Sequence, residues 1–239
     1  MTQFSAEVVH PKTLPNQDMI ALAYAAYRVN GNQYIKDTRR FSEDKPTQYS
    51  NKELMRMFLT QQGHAAHYVP NDYVPFKVTS DDYAAIERAR NHFKRYTMEI
   101  LGDSLNDFQK TVYEAFCADN IPVNSAGIVA YLPQLVEREM EDIAFKKLLR
   151  VDYRDSVHIG AVGDSVEGVV KILRKFYSEQ WEKWNYTAAL DGNIVSFMNG
   201  YEHDIDSMKR IKAKVKSHTK NRMFSVDETR LNYVKLYKV

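Results

Sequence analysis

From Met208 to His218 apolar and basic residues alternate with a period of two, and no other stretch constrains the fold of this chain as tightly. Ile211, Ala213, Val215 and Ser217 fall on one side of the alternation, and Arg210, Lys212, Lys214, Lys216 and His218 on the other. A strand points successive side chains to opposite faces, so the segment predicts one apolar and one cationic face.

The same period governs the last third of the chain. Glycines enter at positions 160, 163 and 168, β-branched residues become more frequent, and helical spacing gives way to alternation near Ser156. Strands are predicted at about Ser165–Tyr177, Trp181–Leu190, Asn193–Met198, Met208–His218 and Met223–Leu236. Asp191-Gly192 is a two-residue hairpin signal, and Asn221 marks a turn between the last two strands. Five strands in so short a segment, with the later ones paired as hairpins, suit a small barrel of the OB type, five-stranded and antiparallel.

The first 150 residues read as helical. Ile20, Leu22, Ala23, Ala26 and Tyr27 are spaced for a helix over Asp18–Asn30 that stops at Gly31. Ser50 with Glu53 and Thr79 with Asp82 are capping-box signatures; the second opens a helix reaching about Leu101. Pro70 and Pro75 place an extended connector over Gly63–Lys77. A helix from Ser104 to Asp119 turns Phe108, Val112, Tyr113, Phe116 and Cys117 inward, Pro122 interrupts the chain, and short and long helices follow to Leu132 and about Arg150. The chain is therefore expected to be α+β: an arm over residues 1–16, a helical domain over 17–155, and the barrel over 156–239.

Composition excludes several classes. With 44% hydrophobic and 27% charged residues the chain is ordinary for a globular protein. No apolar run is long enough to span a membrane, and the first residues lack a secretory pattern. A single cysteine, Cys117, excludes an internal disulfide and is expected to be a buried thiol. These features point to the cytoplasm. The net charge of +2 hides an asymmetry: Lys209–Val239 holds 10 Lys and Arg against two acidic residues. Charge concentrated in this way suggests a polyanionic partner.

Aromatic residues stand close to those cations. Phe176, Tyr177, Trp181, Trp184 and Tyr186 include both tryptophans of the chain. Cations with aromatic platforms are what a single-stranded nucleic acid requires, one attracting phosphates and the other stacking bases. Trp184 and Tyr186 share a face with Ala188 and Leu190 and are assigned to the core. Arg174, Lys175, Phe176, Tyr177 and Trp181, around the first turn, join Arg210, Lys212, Lys214, Lys216 and His218 as the candidate nucleic-acid-binding residues. Lysines on an edge strand that only blocks aggregation are the competing explanation for the basic row.

The segment from His158 to Val239 resembles a C-terminal OB-like domain of many tailed-phage proteins, uncharacterised or replication-associated. The matching residues are His158-Ile159-Gly160 with Val162-Gly163, Asp191-Gly192-Asn193, Lys214-Val215-Lys216-Ser217-His218, and Thr229, Leu231 and Val234-Lys235. That family commonly carries a tryptophan followed by a lysine on its third strand, where this chain has Phe197 and Met198. The resemblance implies a phage source, hence a host-cell cytoplasm, and a fold that handles nucleic acid.

Signatures of catalysis are missing from the sequence: it has no phosphate-cradling glycine loop, no nucleophile elbow and no Cys–His pairing. Glu202, His203, Asp204 and Asp206 match no metal loop, and His64 and His67 lack further ligands. Asp152 and Asp155 read as surface carboxylates rather than nuclease ligands. A helix-turn-helix around Phe108–Leu149 would have Ala126–Leu132 as its second helix; that segment is apolar without basic residues, and the turn Asn120–Ser125 has Pro122 and no glycine, which argues against groove recognition. The expected function is therefore non-enzymatic, without metal or cofactor: binding of single-stranded nucleic acid, most simply DNA, in phage replication, recombination or their control. The alternative is an adaptor that engages a host or phage protein with the barrel as scaffold.

Overall fold

The computed structural model describes residues 12–40, 47–102, 104–221 and 226–239. The chain divides into two compact units between Met140 and Glu141. Along the first run β1 (Thr13–Pro15), α1 (Asn16–Val29), α2 (Asn51–Gln61), α3 (Ser80–Phe93), α4 (Tyr96–Leu101), α5 (Asp107–Cys117), β2 (Asn120–Pro122), α6 (Ala126–Val129) and α7 (Leu132–Asp152). The barrel strands are β3 (Ser165–Ser178), β4 (Lys183–Leu190), β5 (Asn193–Asn199), β6 (Met208–Asn221) and β7 (Val226–Lys238).

Helix α1 is the centre of the helical unit. Every residue from Met19 to Tyr27 is buried, as befits a helix apolar on all sides. Leu54, Met55, Met57 and Leu59 of α2 and Ala85, Ile86, Ala89 and Phe93 of α3 complete its core. The caps follow the sequence: Glu53 N donates to Ser50 Oγ at 3.2 Å, and Thr79 N donates to Asp82 Oδ2 at 2.8 Å. Asp82 also accepts from Arg28 at 2.8 and 3.0 Å.

Four expectations for this half need correction. The helix opened by Thr79 breaks at Lys94–Arg95 rather than running on to Leu101. Phe108 and Cys117, assigned inward, are exposed; they stand at the two ends of α5, and Val112 at its middle is the residue it buries. Within the arm, Thr13–Pro15 pairs antiparallel with Asn120–Pro122; residues 1–11 lie outside the described residues. The short helix ends at Val129 rather than Leu132, and α7 begins at Leu132, one residue before Pro133, whose missing N–H costs nothing so early in a helix.

In the second unit the strands close into a barrel in the order β3-β4-β5-β7-β6. The sheet is mixed, not purely antiparallel as expected: β5 and β7 pair in parallel, Ile194 opposite Glu228 and Ser196 opposite Arg230. Local alternation predicts strands but not the partner a strand finds 34 residues later, and this long-range pair closes the barrel. Asp191 and Gly192 both have positive φ, 50° and 79°, the type I′ turn that their sequence signals. Gly168 makes room for a core side chain: a Cβ there would stand 2.6 Å from Leu190 Cδ1 and force that side chain to shift. The turn expected near Asn221 involves residues 222–225, outside the described residues.

Alternation sorts the side chains. Val170, Ile172, Tyr186, Ala188, Leu190, Val195, Phe197, Ile211, Ala213 and Val215 fill the interior. A second apolar layer lies outside the barrel wall, where Phe145 and Leu149 of α7 cover Leu173, Ala189, Ile194 and Val226. Asn185 and Thr187 share the outward face of β4 with Ala189 but belong to neither cluster. They open onto the groove described next.

Candidate nucleic-acid interface

The outward face of β4, β5 and β7 holds a groove of about 440 Å³, within the size range of small-ligand sites. Lys183, Asn185 and Thr187 of β4, Ser196 and Met198 of β5, and Glu228, Arg230, Asn232 and Tyr233 of β7 line it. Phe176 of β3 and Lys216 of β6 complete its walls. Three cations thus face one acid. Glu228 is engaged, accepting from Ser196 Oγ at 2.5 Å and lying 3.9 Å from Arg230 Nε.

Apolar side chains are exposed around the same groove: Phe176 is 59% exposed, Met198 44% and Tyr233 79%. Tyr233 has φ 52°, a left-handed conformation that costs a non-glycine residue about 1–2 kcal/mol. The turn of backbone belongs to a bulge: Lys212 pairs with Lys235 and Lys214 with Asn232, so β7 fits one extra residue here and presents Tyr233 to solvent beside the groove.

The predicted site residues divide into several groups. On β6 the facing is as the alternation predicts: Arg210, Lys212, Lys214, Lys216 and His218 are exposed, and Ile211, Ala213 and Val215 buried. Of this row Lys216 lines the groove. Lys212 forms an ion pair with Glu167 across the β3–β6 ladder, 2.5 Å apart, and that hydrogen bond raises the ammonium above its ordinary value. His218 stacks on His158 with ring centroids 4.5 Å apart.

Around the first turn the outcome is mixed. Phe176 joins the groove, whereas Arg174 is held by Asp142 and lies over the Phe145 ring at 5.1 Å. Lys175 bonds Glu202 at 2.7 Å and sits 5.3 Å from the Trp184 ring centre. Arg174 and Lys175 are therefore occupied by partners within the barrel unit. Tyr177 packs edge-on against Trp184. Trp181 stands in the β3–β4 turn, 59% exposed, while Trp184 is half-buried against the core. Tyr186 is interior; its hydroxyl donates to Tyr201 O at 2.8 Å and accepts from His203 N at 2.9 Å. Burial pushes its phenol up.

Lys183, Asn185, Ser196, Met198, Arg230, Asn232 and Tyr233 were not legible as site residues, since they converge only when β5 meets β7. Their one local signal is the solvent-facing phase of alternation, which every surface residue shares. The acidic cluster after β5 is spent locally, Glu202 on Lys175 and Asp206 on Lys171 at 2.8 Å. Among the described residues no helix is long and apolar enough to cross a membrane.

No protein-family model, curated protein or solved structure matches this chain.

Proposed function

We propose that the barrel binds single-stranded nucleic acid, with single-stranded DNA the favoured form, along the groove of β4, β5 and β7. The observation that carries this reading is the pairing of Lys183, Lys216 and Arg230 with exposed Phe176, Met198 and Tyr233 on one concave surface. Cations supply a sequence-independent attraction for phosphates. Flat or soft apolar side chains supply surfaces on which bases stack, each worth about 1–3 kcal/mol. The row Arg210, Lys214 and Lys216, on one face of β6, extends the cationic track beyond the groove.

The barrel itself supports an OB-type assignment: five strands, closed, with its third and fifth strands in parallel contact. OB barrels bind oligonucleotides on the face of their second and third strands, here β4 and β5. The fold alone does not fix function, so the argument rests on the groove. The resemblance of His158–Val239 to tailed-phage domains extends the proposal to a non-enzymatic role in phage DNA replication, recombination or their control.

Titration of the full chain with labelled single- and double-stranded oligonucleotides of equal length tests the reading. Preferential capture of the single strand supports it. Equal affinity for the duplex, or no capture of either strand, refutes it. Salt-insensitive binding to a protein instead would favour the adaptor function.

A further inference from the structure

We propose that the groove reads base identity through Asn185 and Asn232, rather than holding any single strand indifferently. This rests on the nucleic-acid reading of the same face. Asn185 Nδ2 and Asn232 Oδ1 are buried atoms without a hydrogen-bond partner among the described residues, and both side chains line the groove. A buried amide left unpaired is destabilising and uncommon, and a bound partner is one explanation that makes it worthwhile. Here the unspent groups are one donor and one acceptor.

Their placement fits a planar heterocycle. Asn185 on β4 is opposite Met198 on β5. The last β5–β7 pair is Ser196 with Arg230, and Met198 and Asn232 both lie two residues further along. The amides therefore flank Met198 from either side, about 10 Å apart at their backbones by two strand spacings. A base entering beside the polarisable Met198 thioether would meet one amide at a time, the Asn185 donor on one side or the Asn232 acceptor on the other.

Phosphate contacts from Lys183, Lys216 and Arg230 carry no sequence information; hydrogen bonds to base edges do. The groove's carboxylate, Glu228, is already engaged by Ser196. Each nucleobase presents donors and acceptors along its pairing edge in its own order, so a fixed donor and a fixed acceptor favour some bases over others.

The test measures affinity of the full chain, by fluorescence anisotropy, for 12-mers of a neutral mixed sequence in which a run of three positions is dA, dC, dG or dT. The native chain is expected to prefer one base over the least favoured by about tenfold or more. Asn185→Ala and Asn232→Ala are each expected to bring the four affinities within about threefold while keeping the salt dependence, which belongs to the cations. Their melting temperatures should equal or exceed the native value, since each removes an unmet polar group.

Native affinities within about threefold of each other would overturn base reading and leave nucleic-acid binding standing. A preference that survives in both variants would also overturn it. A melting temperature lowered by more than about 5 °C in both would mark the amides as structural and overturn it too. If no oligonucleotide binds, this inference and the proposed function fall together.

Discussion

Among the described residues of the helical unit Glu139 is the most heavily bonded carboxylate, and replacing it tests whether that unit depends on a buried charge. Its side chain is 15% exposed. His92 Nε2 donates to it at 2.7 Å, the Tyr96 hydroxyl at 2.9 Å, and Gln109 Nε2 at 2.8 Å, and Arg95 pairs with it. Burial alone would raise the carboxyl; the bonds from His92, Gln109 and Tyr96 and the Arg95 charge overcome that and hold it at about 2, against an ordinary 4.5. At about 1.4 kcal/mol for each tenfold change, this difference corresponds to about 3 kcal/mol. The folded value lies below the unfolded one, so the contribution is complete above pH about 4.5 and lost as pH falls toward about 2. Glu139→Gln keeps one acceptor oxygen but presents an NH₂ to groups that are themselves donors, and it should cost about 3 kcal/mol at pH 7. Urea unfolding followed by circular dichroism at 222 nm, at pH 7 and pH 3, reads the helical unit. Both tryptophans lie in the barrel, so their fluorescence serves as an internal control. The native helical transition should weaken between the two pH values by more than that of the variant, and the two proteins should converge in acid. Equal pH dependence in both would refute the account of the shift.

Trp184→Ala should lower barrel stability by about 2–3 kcal/mol, somewhat less than a fully buried aromatic, and Trp181→Ala by under about 0.5 kcal/mol in chemical denaturation; the reverse order would invert the facing of β4. Trp181→Ala should also weaken single-strand binding if a base stacks in that turn, by about 1–3 kcal/mol in anisotropy titrations. Tyr233→Gly should leave stability unchanged or raise it by about 1 kcal/mol through release of its left-handed strain, while lowering affinity; a large loss of stability would show that the residue serves packing. Gly168→Ala should cost about 1–3 kcal/mol by forcing Leu190 from its rotamer, read as a lowered barrel melting temperature with helical melting unchanged.

Features set by neighbours in sequence were legible. The facing of Ile211, Ala213 and Val215 follows from period two, the β4–β5 turn from Asp191-Gly192, and the caps of α2 and α3 from Ser50 and Thr79. Each rests on interactions within a few residues. What failed depends on distant partners. Arg174 and Lys175 look free in sequence, yet Asp142 and Glu202, 32 and 27 residues away, neutralise them. Lys212 was read as one of an uninterrupted cationic row, and Glu167 from the neighbouring strand interrupts it. The parallel β5–β7 contact carries no local signal, and with it went Asn185, Met198, Arg230 and Asn232, which that closure assembles into a groove.

The central claim, that this face holds a single strand through phosphate and base contacts, is tested most directly by the salt dependence of affinity for a single-stranded oligonucleotide. Three phosphates neutralised by Lys183, Lys216 and Arg230 predict a slope of log affinity against log salt near −2, at about −0.7 per contact. Lys214→Glu with Lys216→Glu should weaken binding and make that slope shallower by about 0.7, the share of Lys216 among the three contacts. A steep native slope, reduced in the double variant, is the expected result. A flat slope, or a slope and affinity that the double variant leaves untouched, would contradict the account.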